Sequence, residues 1–198
     1  MYPSLLIKHN IGNTLTINNR LDIRVSAYTS NVFLSGVTNI GVDNGSNFTS
    51  GSTILLLLGS IGNENAEIVT SPSHTTTSFV VSPTLQNHSR GEIIQEIKWD
   101  KLQIFKSATV DGVYTQFGAD VTLNVTNTNT IIYDQIGLST DFYKIRWLNS
   151  VTGLFSDFSL PISVASYPLT SPGYMFDSVR QLFGIKENDP QITSQLLL

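Results

Sequence analysis

The sequence predicts an all-β protein, with a small β-barrel or sandwich unit, a second β-sandwich and a short C-terminal helical tail. Polar and apolar residues alternate through many short segments, and turn residues separate these segments. No long helical periodicity occurs before Pro168, so the chain lacks the crossover helices that a parallel α/β sheet needs. We expect the three units to span residues 1–95, 96–168 and 169–198.

The first unit is predicted to contain short strands joined by polar turns. Segments 14–18 and 22–27 alternate polar and apolar residues, as strands with one wet and one buried face do. The apolar run 54–58 predicts a central strand that is buried on both faces. Residues 39–51 are rich in Gly, Asn and Ser and predict a long surface loop. Further strands are predicted near residues 32–34, 66–70, 78–82 and 92–97.

The second unit begins near Ile97 and continues the same kind of pattern. Asp111-Gly112 predicts a tight turn after its first strand. Tyr143, Ile145 and Trp147 are expected to share one face of a strand, because side chains alternate across a sheet. The predicted strands are residues 102–107, 121–125, 130–134, 142–147 and 158–164, with Pro161 at a sheet edge.

Beyond Pro168 the pattern changes to helical spacing. Pro172 suits the first turn of a helix and Gly184 suits its end, which predicts one helix around residues 174–183. The apolar stripe of this helix consists of Met175, Val179, Leu182 and Phe183. We predict that the stripe binds another subunit or partner, and packing against the chain's own β-units is the alternative.

Composition and charge argue against several classes of protein. Charged residues are 13% of the chain and the formal net charge is -4, whereas globular domains average roughly 25% charged residues. Without a basic stripe, no nucleic-acid interface is expected. The chain has no Cys, which excludes disulfides and thiolate metal sites. With no apolar run near the length of a membrane span and no signal-peptide pattern, we expect synthesis in a cytoplasm and no membrane partner.

The residues that could carry catalysis form no recognisable motif. No H-E-x-x-H motif occurs, and His74 and His88 lie in a predicted loop and a predicted turn, so we interpret His9, His74 and His88 as surface or structural residues. No serine lies in a G-x-S-x-G motif, and the glycine-containing segment 59–62 leads into a strand and not into a phosphate-binding helix. We therefore predict that the chain is not an enzyme and has no catalytic, metal-binding or cofactor-binding residue.

Two groups of oxygen-bearing side chains leave alternatives open. Asp43, Asn44 and Asn47 could surround a calcium ion, but their spacing is not that of an EF-hand and a polar loop is favoured. Four glutamates could supply the carboxylate pair of a glycosidase, although their alternating positions favour solvated charges. These glutamates are Glu64, Glu67, Glu92 and Glu96.

Between about residues 96 and 164 the chain carries a set of motifs in a recognisable order. They are Trp99, the strand 102–107, Asp111-Gly112, Tyr114, Tyr133-Asp134, the strand 143–147, Gly153, Ser156 and Ser159. With these motifs the segment resembles a fibronectin type III-like β-sandwich. The last part looks like the penultimate strand of such a domain, its hairpin turn and a final G-x-x-S-x-x-S strand. The match covers about 70 residues, short of the roughly 100 of a complete seven-stranded sandwich. One or two strands are therefore expected to be missing or borrowed from the first unit.

A β-unit with residues 63–69 and Asn87-His88 precedes the fibronectin-like unit, and a tail with residues 189–193 follows it. This order of parts resembles that of virion proteins of tailed bacteriophages, and the tail is similar to the opening of the helical head–tail connector proteins. The resemblance implies a structural protein of the virion, in the neck, the connector or the tail. It also implies a homo-oligomeric ring or adaptor, whose partners are copies of itself and other virion proteins.

The alternative function is a carbohydrate- or receptor-binding module with a fibronectin-like spacer. It requires an exposed pair of aromatic side chains near Trp147 or Tyr114. The strand spacing of the aromatic residues favours a place in the core, with Trp147 the member expected to be partly exposed. The aromatic residues considered are Trp99, Phe105, Tyr133, Tyr143 and Trp147.

Overall fold

The computed structural model describes residues 5–164, and the structural statements below concern this range. Within it the chain forms β-strands and no α-helix, which confirms the predicted all-β class. The sheets are open and are not closed into a barrel. The predicted helix at 174–183, with its stripe of Met175, Val179, Leu182 and Phe183, lies outside the described residues.

Two antiparallel sheets form a β-sandwich. The first has the order β1-β2-β13, and its strands are β1 (Leu5–Asn10), β2 (Gly12–Asn18) and β13 (Asn129–Asp134). The second has the order β11-β10-β14-β15, with β12 also paired to β10. Its strands are β10 (Lys101–Ser107), β11 (Thr115–Gln116), β12 (Val121–Thr122), β14 (Phe142–Leu148) and β15 (Ile162–Ser163).

The chain leaves this sandwich after β2 and returns to it at β10. The residues between form two further sheets, which we call the insertion, with the orders β3-β9-β5-β6 and β4-β8-β7. Their strands are β3 (Val25–Tyr28), β4 (Asn39–Gly41), β5 (Ile54–Leu58), β6 (Glu67–Ser71), β7 (Ser73–His74), β8 (Ser78–Val80) and β9 (Ile93–Ile97). The hairpin β1–β2 therefore shares a sheet with β13. The division of the chain into units at residues 1–95, 96–168 and 169–198 stays a prediction.

Strand β5 lies between β6 and β9 and is buried along its whole length, as its unbroken apolar sequence predicts. Leu55 and Leu57 belong to the core of the sandwich. Leu56 and Leu58 point to the opposite face, into the core of the insertion. Because side chains alternate across a strand, β5 contributes to both cores at once.

Each core draws on residues that are distant in the sequence. The sandwich core contains Leu15, Ile17, Trp99, Ile104, Tyr143, Ile145 and Trp147, together with Leu55 and Leu57 of β5. The insertion core contains Ala27, Phe33, Ile40, Val42, Phe48, Phe79 and Ile94, together with Leu56 and Leu58. The four-stranded sheet β3-β9-β5-β6 thus lies as a layer between the sandwich and the sheet β4-β8-β7.

Polar contacts reinforce the joint between the insertion and the sandwich. The Gly62 N–H donates to the Val125 carbonyl at 2.8 Å, and the Asn19 N–H donates to the Thr128 carbonyl at 2.9 Å. The Trp99 indole N–H donates to Asp22 at 3.1 Å. The first bond joins a loop of the insertion to the segment before β13, and the second continues the β2–β13 ladder by one residue. The third ties the residues just after β2 to Trp99, which packs in the sandwich core.

The segment 39–51, predicted to be a surface loop, is only partly one. It contains β4, and it buries Ile40, Val42 and Phe48 in the insertion core. The prediction was wrong at these positions because single apolar residues among turn residues leave no periodic signal, yet each one anchors a turn to the core.

The final strand is shorter than the predicted 158–164, and β15 covers only Ile162–Ser163. Before it, two serines take part in the pairing with β14. The Trp147 N–H donates to the Ser156 hydroxyl at 2.9 Å, and the Ile145 N–H donates to the Ser159 hydroxyl at 3.0 Å. The Ser156 and Ser159 N–H groups donate back to the carbonyls of the same two residues. This explains physically why the two serines occur three residues apart.

We predict that the two cores unfold together. Leu56→Ala removes a fully buried side chain of the insertion core, which typically costs about 2–5 kcal/mol. Leu55 and Leu57 on the same strand belong to the other core, which also contains Trp99 and Trp147. Denaturant unfolding followed by far-UV circular dichroism and by tryptophan fluorescence should therefore show the same decrease in the free energy of unfolding.

The matched control is Leu85→Ala, which truncates a leucine that is 78% exposed and should change stability by no more than about 0.5 kcal/mol. A Leu56→Ala variant whose tryptophan transition keeps its original midpoint would contradict cooperative unfolding.

Candidate functional site

The outer face of the five-stranded sheet carries aromatic and cationic side chains side by side. Ile104 and Ile145 point into the core, and the residues that alternate with them point outward. In the strand register, Phe105 lies opposite Lys144. We call this surface the arginine–aromatic face, and it consists of Phe105, Lys144, Arg146, Phe155 and Phe158.

Arg146 lies at the centre of this face and is held on several sides. Its guanidinium carbon is 3.9 Å from the ring centroid of Phe155, 4.9 Å from that of Phe158 and 5.1 Å from that of Phe105. Its Nε donates to Gln103 Oε1 at 2.8 Å. Cation–π contacts of this kind contribute about 0.5–2 kcal/mol each. Contacts within the chain therefore hold the side chain in place.

The serine pattern of the last strand segment places both phenylalanines on the same face. Ser156 and Ser159 turn toward β14, and the spacing of three leaves Phe155 and Phe158 on the outer side. Phe155 is 45% exposed and Phe158 is 40% exposed. Two exposed leucines flank them, which extends the apolar surface along the chain: Leu154 and Leu160.

Polar contacts border the arginine–aromatic face. The Lys144 ammonium lies 4.1 Å from the ring centroid of Tyr114. Asp120 Oδ1 accepts hydrogen bonds from Gln103 Nε2 at 2.7 Å and from Gln116 Nε2 at 3.0 Å. An apolar centre with a polar border is the usual anatomy of a protein–protein interface.

A second cluster is a largely buried ionic network near the C-terminal end of β10, where Lys106 occupies an inward position. Lys106 Nζ lies 2.7 Å from Asp134 Oδ2 and 2.8 Å from Asp141 Oδ2. The Tyr143 hydroxyl donates to Asp134 Oδ2 at 2.7 Å and accepts from Asn13 Nδ2 at 2.9 Å. The network joins β2, β10, β13, β14 and the loop before β14, so its first role is to fix this end of the sandwich.

The network shifts the pKa values of its members. Burial alone would raise the pKa of Asp134, but hydrogen bonds from Lys106 and Tyr143 and the Lys106 charge outweigh it and hold this pKa below its ordinary value. Burial would lower the pKa of Lys106, but hydrogen bonds to the two aspartates raise it. Burial and the neighbouring Asp134 raise the pKa of Tyr143. Tyr143 therefore stays neutral and Asp134 stays ionised at neutral pH.

A third cluster surrounds His88 in the insertion. The His88 side chain is fully buried, with Nε2 2.9 Å from Glu67 Oε1. Its Nδ1 lies 3.2 Å from Glu92 Oε2 but outside hydrogen-bond geometry. Glu67 also accepts the N–H groups of Leu85 and Gln86 at 2.7 and 3.2 Å. The cluster fastens the turn around residue 88 to β6.

The expectation of four solvated glutamates was wrong for Glu67 and Glu96, which are 7% and 2% exposed. Glu96 accepts the N–H of Thr49 at 2.8 Å and its hydroxyl at 2.7 Å. Glu92 is half-buried and only Glu64 is exposed. Alternation indicates which face a residue occupies, but here the second face is covered by loops whose N–H groups need acceptors.

The other candidate residues have structural surroundings. Asp43 Oδ1 accepts the N–H groups of Tyr28 and Asn44, at 2.9 and 2.7 Å. The His74 ring stacks on Phe79 with centroids 5.1 Å apart. In residues 5–164 no three His, Asp or Glu side chains are grouped as metal ligands would be.

The aromatic residues divide between the core and the surface. Trp99 and Tyr143 are buried as expected, but Trp147, expected to be partly exposed, is 1% exposed. It occupies an inward position of β14 and packs in the sandwich core. Tyr133 is instead 68% exposed, because it points outward from β13.

Sequence reasoning missed the aromatic surroundings of Arg146. The signal available was that Phe155 and Phe158 each directly precede one of the two serines in the sequence. Once the serines are known to bind β14, this spacing places both rings on one face. It also missed Lys106, which occupies an inward position where alternation alone predicts an apolar residue.

The chain matches no known protein-family model, no curated protein and no solved structure. Nowhere in residues 5–164 does a helix reach the length and apolarity that crossing a bilayer requires.

We predict that Asp134→Asn destabilises the protein in a pH-dependent way. The change weakens a charge-assisted contact with Lys106 and should cost about 1–3 kcal/mol at neutral pH. Because the folded pKa of Asp134 is lowered, its contribution is present above the ordinary value of 3.8 and is lost as pH falls through the folded pKa. Denaturant unfolding of both proteins from pH 7 to pH 2 should show the difference shrinking on acidification.

Glu64→Gln is the control, since it removes one carboxylate charge from an exposed position. A stability difference for Asp134→Asn that stays constant down to the lowest pH would show that the ionised carboxylate is not the stabilising form.

Proposed function

We propose that the chain is a non-enzymatic structural component of a tailed-bacteriophage virion, in the neck, the head–tail connector or the tail. It is made in the host cytoplasm, and it assembles through repeated contacts with copies of itself and with other virion proteins. The arginine–aromatic face, together with Leu154 and Leu160, is the observation that carries the proposal. Exposed apolar patches on soluble domains mark contact surfaces.

The chemistry of the face favours a protein partner. Aromatic side chains and Arg are enriched at the centres of protein interfaces, where a few such residues supply most of the binding energy. Arg146 is already fixed by Gln103 and the rings, so binding costs little side-chain entropy. The edges of its guanidinium are suited to a carboxylate or carbonyl of the partner, because guanidinium donors lie in one plane.

A fibronectin type III-like fold for the sandwich belongs to this proposal. The arrangement of three strands, β1-β2-β13, facing β11-β10-β14-β15 supports it, with the hairpin β1–β2 supplying the strands that residues 96–168 lack. Tyr143 near the start of β14 also supports it, because its hydroxyl binds Asp134 at the end of β13. This is similar to the tyrosine corner of immunoglobulin-like sandwiches, although there the acceptor is a backbone group.

The alternative, a carbohydrate- or receptor-binding module, would use the same face differently. The aromatic pair it needs near Trp147 or Tyr114 is Phe155 and Phe158, since Trp147 is buried and Lys144 covers Tyr114. Arg146 lies against both rings, which leaves less free ring surface for stacking a sugar.

The double substitution Phe155→Ser and Phe158→Ser tests the face. It removes two exposed rings and should weaken subunit association on the order of 100-fold. Analytical ultracentrifugation of the purified chain and its recovery in purified virus particles are the measurements. Far-UV circular dichroism should stay unchanged, because both rings lie outside the two cores.

Leu85→Ser is the matched control, because it also removes an exposed apolar side chain but lies in the insertion. A chain that is strictly monomeric and absent from particles would contradict the assembly function, and glycan binding lost only in the double variant would favour the alternative.

The predicted stripe of Met175, Val179, Leu182 and Phe183 gives a further test. Deleting residues 170–198 removes none of the side chains of the two cores described above, so a folded β-protein should remain. Burial of four such side chains contributes on the order of 6–10 kcal/mol before entropy costs, so assembly should be lost. A truncated chain that fails to fold, or that assembles normally, would show that the prediction is wrong.

A further inference from the structure

Among residues 5–164, strand β13 is an open edge of the sandwich. It is the outermost strand in the order β1-β2-β13, and it pairs over six residues with β2 on one side. Proteins usually protect such edges with Lys, Pro, bulges or very short strands. The sequence of β13, Asn-Thr-Ile-Ile-Tyr-Asp, contains no Lys and no Pro. The edge is therefore able to accept another strand.

The alternation of the antiparallel ladder shows which groups are offered at this edge. The Asn19 N–H donates to the Thr128 carbonyl, so Thr128 and every second residue after it direct their main-chain groups toward β2. The residues between them direct their N–H and C=O groups to the opposite side. These residues are Asn129, Ile131 and Tyr133.

A groove runs along the same edge. It has a volume of about 450 Å³ and is lined by Val121 of β12, by Asn124 and Asn127 of the loop that follows, and by residues 128–132. The groove separates β13 from β12, the strand that pairs with β10 in the other sheet. Space is therefore available beside the main-chain groups of β13.

The outward side chains of β13 are suited to contact with the same surface of a second copy of the chain. Ile131 is 52% exposed and Tyr133 is 68% exposed. The only charged residue of the strand, Asp134, is buried against Lys106. Two copies of this edge would therefore meet without bringing like charges together.

We propose that β13 pairs antiparallel with β13 of a second copy, about a two-fold axis at Ile131. The axis places Ile131 opposite its symmetry mate and Asn129 opposite Tyr133 of the other copy. The outward main-chain groups of all three residues then find partners in the other copy. The sheet β1-β2-β13 of one copy and the same sheet of the other become one continuous sheet. A two-fold contact uses the same patch on both subunits, and it is the commonest symmetry of protein oligomers.

This inference rests on the proposed function only in requiring that copies of the chain meet. It concerns a surface separate from the arginine–aromatic face, which lies on the other sheet of the sandwich. The pairing and the incorporation into particles can therefore fail independently of each other.

Because the chain contains no Cys, a single introduced thiol tests the register directly. In Ile131→Cys the two thiols face each other across the axis, where hydrogen-bonded antiparallel residues have Cα atoms about 5.5 Å apart. That separation suits a disulfide. Mild oxidation of the full chain should give a covalent dimer on non-reducing gels, with most of the protein linked.

Thr16→Cys is the matched control, because Thr16 neighbours Ile131 in the register but lies on β2, one strand away from the edge. Strands are about 4.8 Å apart, so its symmetry mate would lie roughly three strand spacings away, too far for a disulfide. Equal linkage of the two variants, which indicates random collisions, would overturn the proposal.

A second variant keeps the proposal testable without cysteine chemistry. Ile131→Lys places like charges opposite each other at the axis and should weaken dimerisation at least tenfold in sedimentation equilibrium, with Thr16→Lys as control. A chain that is monomeric at all concentrations overturns the pairing, even if it enters virus particles. Association that Ile131→Lys abolishes but Ile131→Cys never links also overturns it, because β13 would then receive a different strand.

Discussion

The burial of β5 on both of its faces is the constraint on which the rest of the molecule depends. Leu55 and Leu57 complete the sandwich core, whereas Leu56 and Leu58 complete the core of the insertion. A strand shared in this way joins two layers without a linker, so neither layer has a complete core alone. The insertion is consequently fixed against the sandwich by packing, and the Gly62–Val125 hydrogen bond adds to this contact.

With both cores closed, most of the ionisable side chains in the interior serve the fold. Lys106 is neutralised by two aspartates, and His88 lies between Glu67 and Glu92. Burying such groups is costly unless they are paired, which explains why each is surrounded by partners. What remains for interaction is the surface. In residues 5–164 it offers an arginine held among phenylalanines on one sheet and an unpaired strand edge on the other. Both features are suited to contacts with proteins.

Local sequence signals identified a large part of the fold. Alternation located the strands that became β2, β10 and β14, and the apolar run 54–58 indicated a central strand. The serine spacing before β15 was recognised as a pattern, but its reason is visible only in the pairing with β14. The burial of Glu96 and Trp147 was missed, because both depend on segments far away in the chain that cover them.

The sequence by itself determined the all-β class, the turns and which faces of the strands are apolar, because these follow from the period of the side chains along each strand. Only the tertiary structure decided that the hairpin β1–β2 joins β13 and that residues between β2 and β10 form their own sheets. It also decided that Arg146 lies among three rings and that no strand of residues 5–164 pairs with the outer edge of β13. The physical reason is that strand pairing joins residues more than 100 positions apart, such as Ile17 and Thr130, and no local pattern records which strands meet.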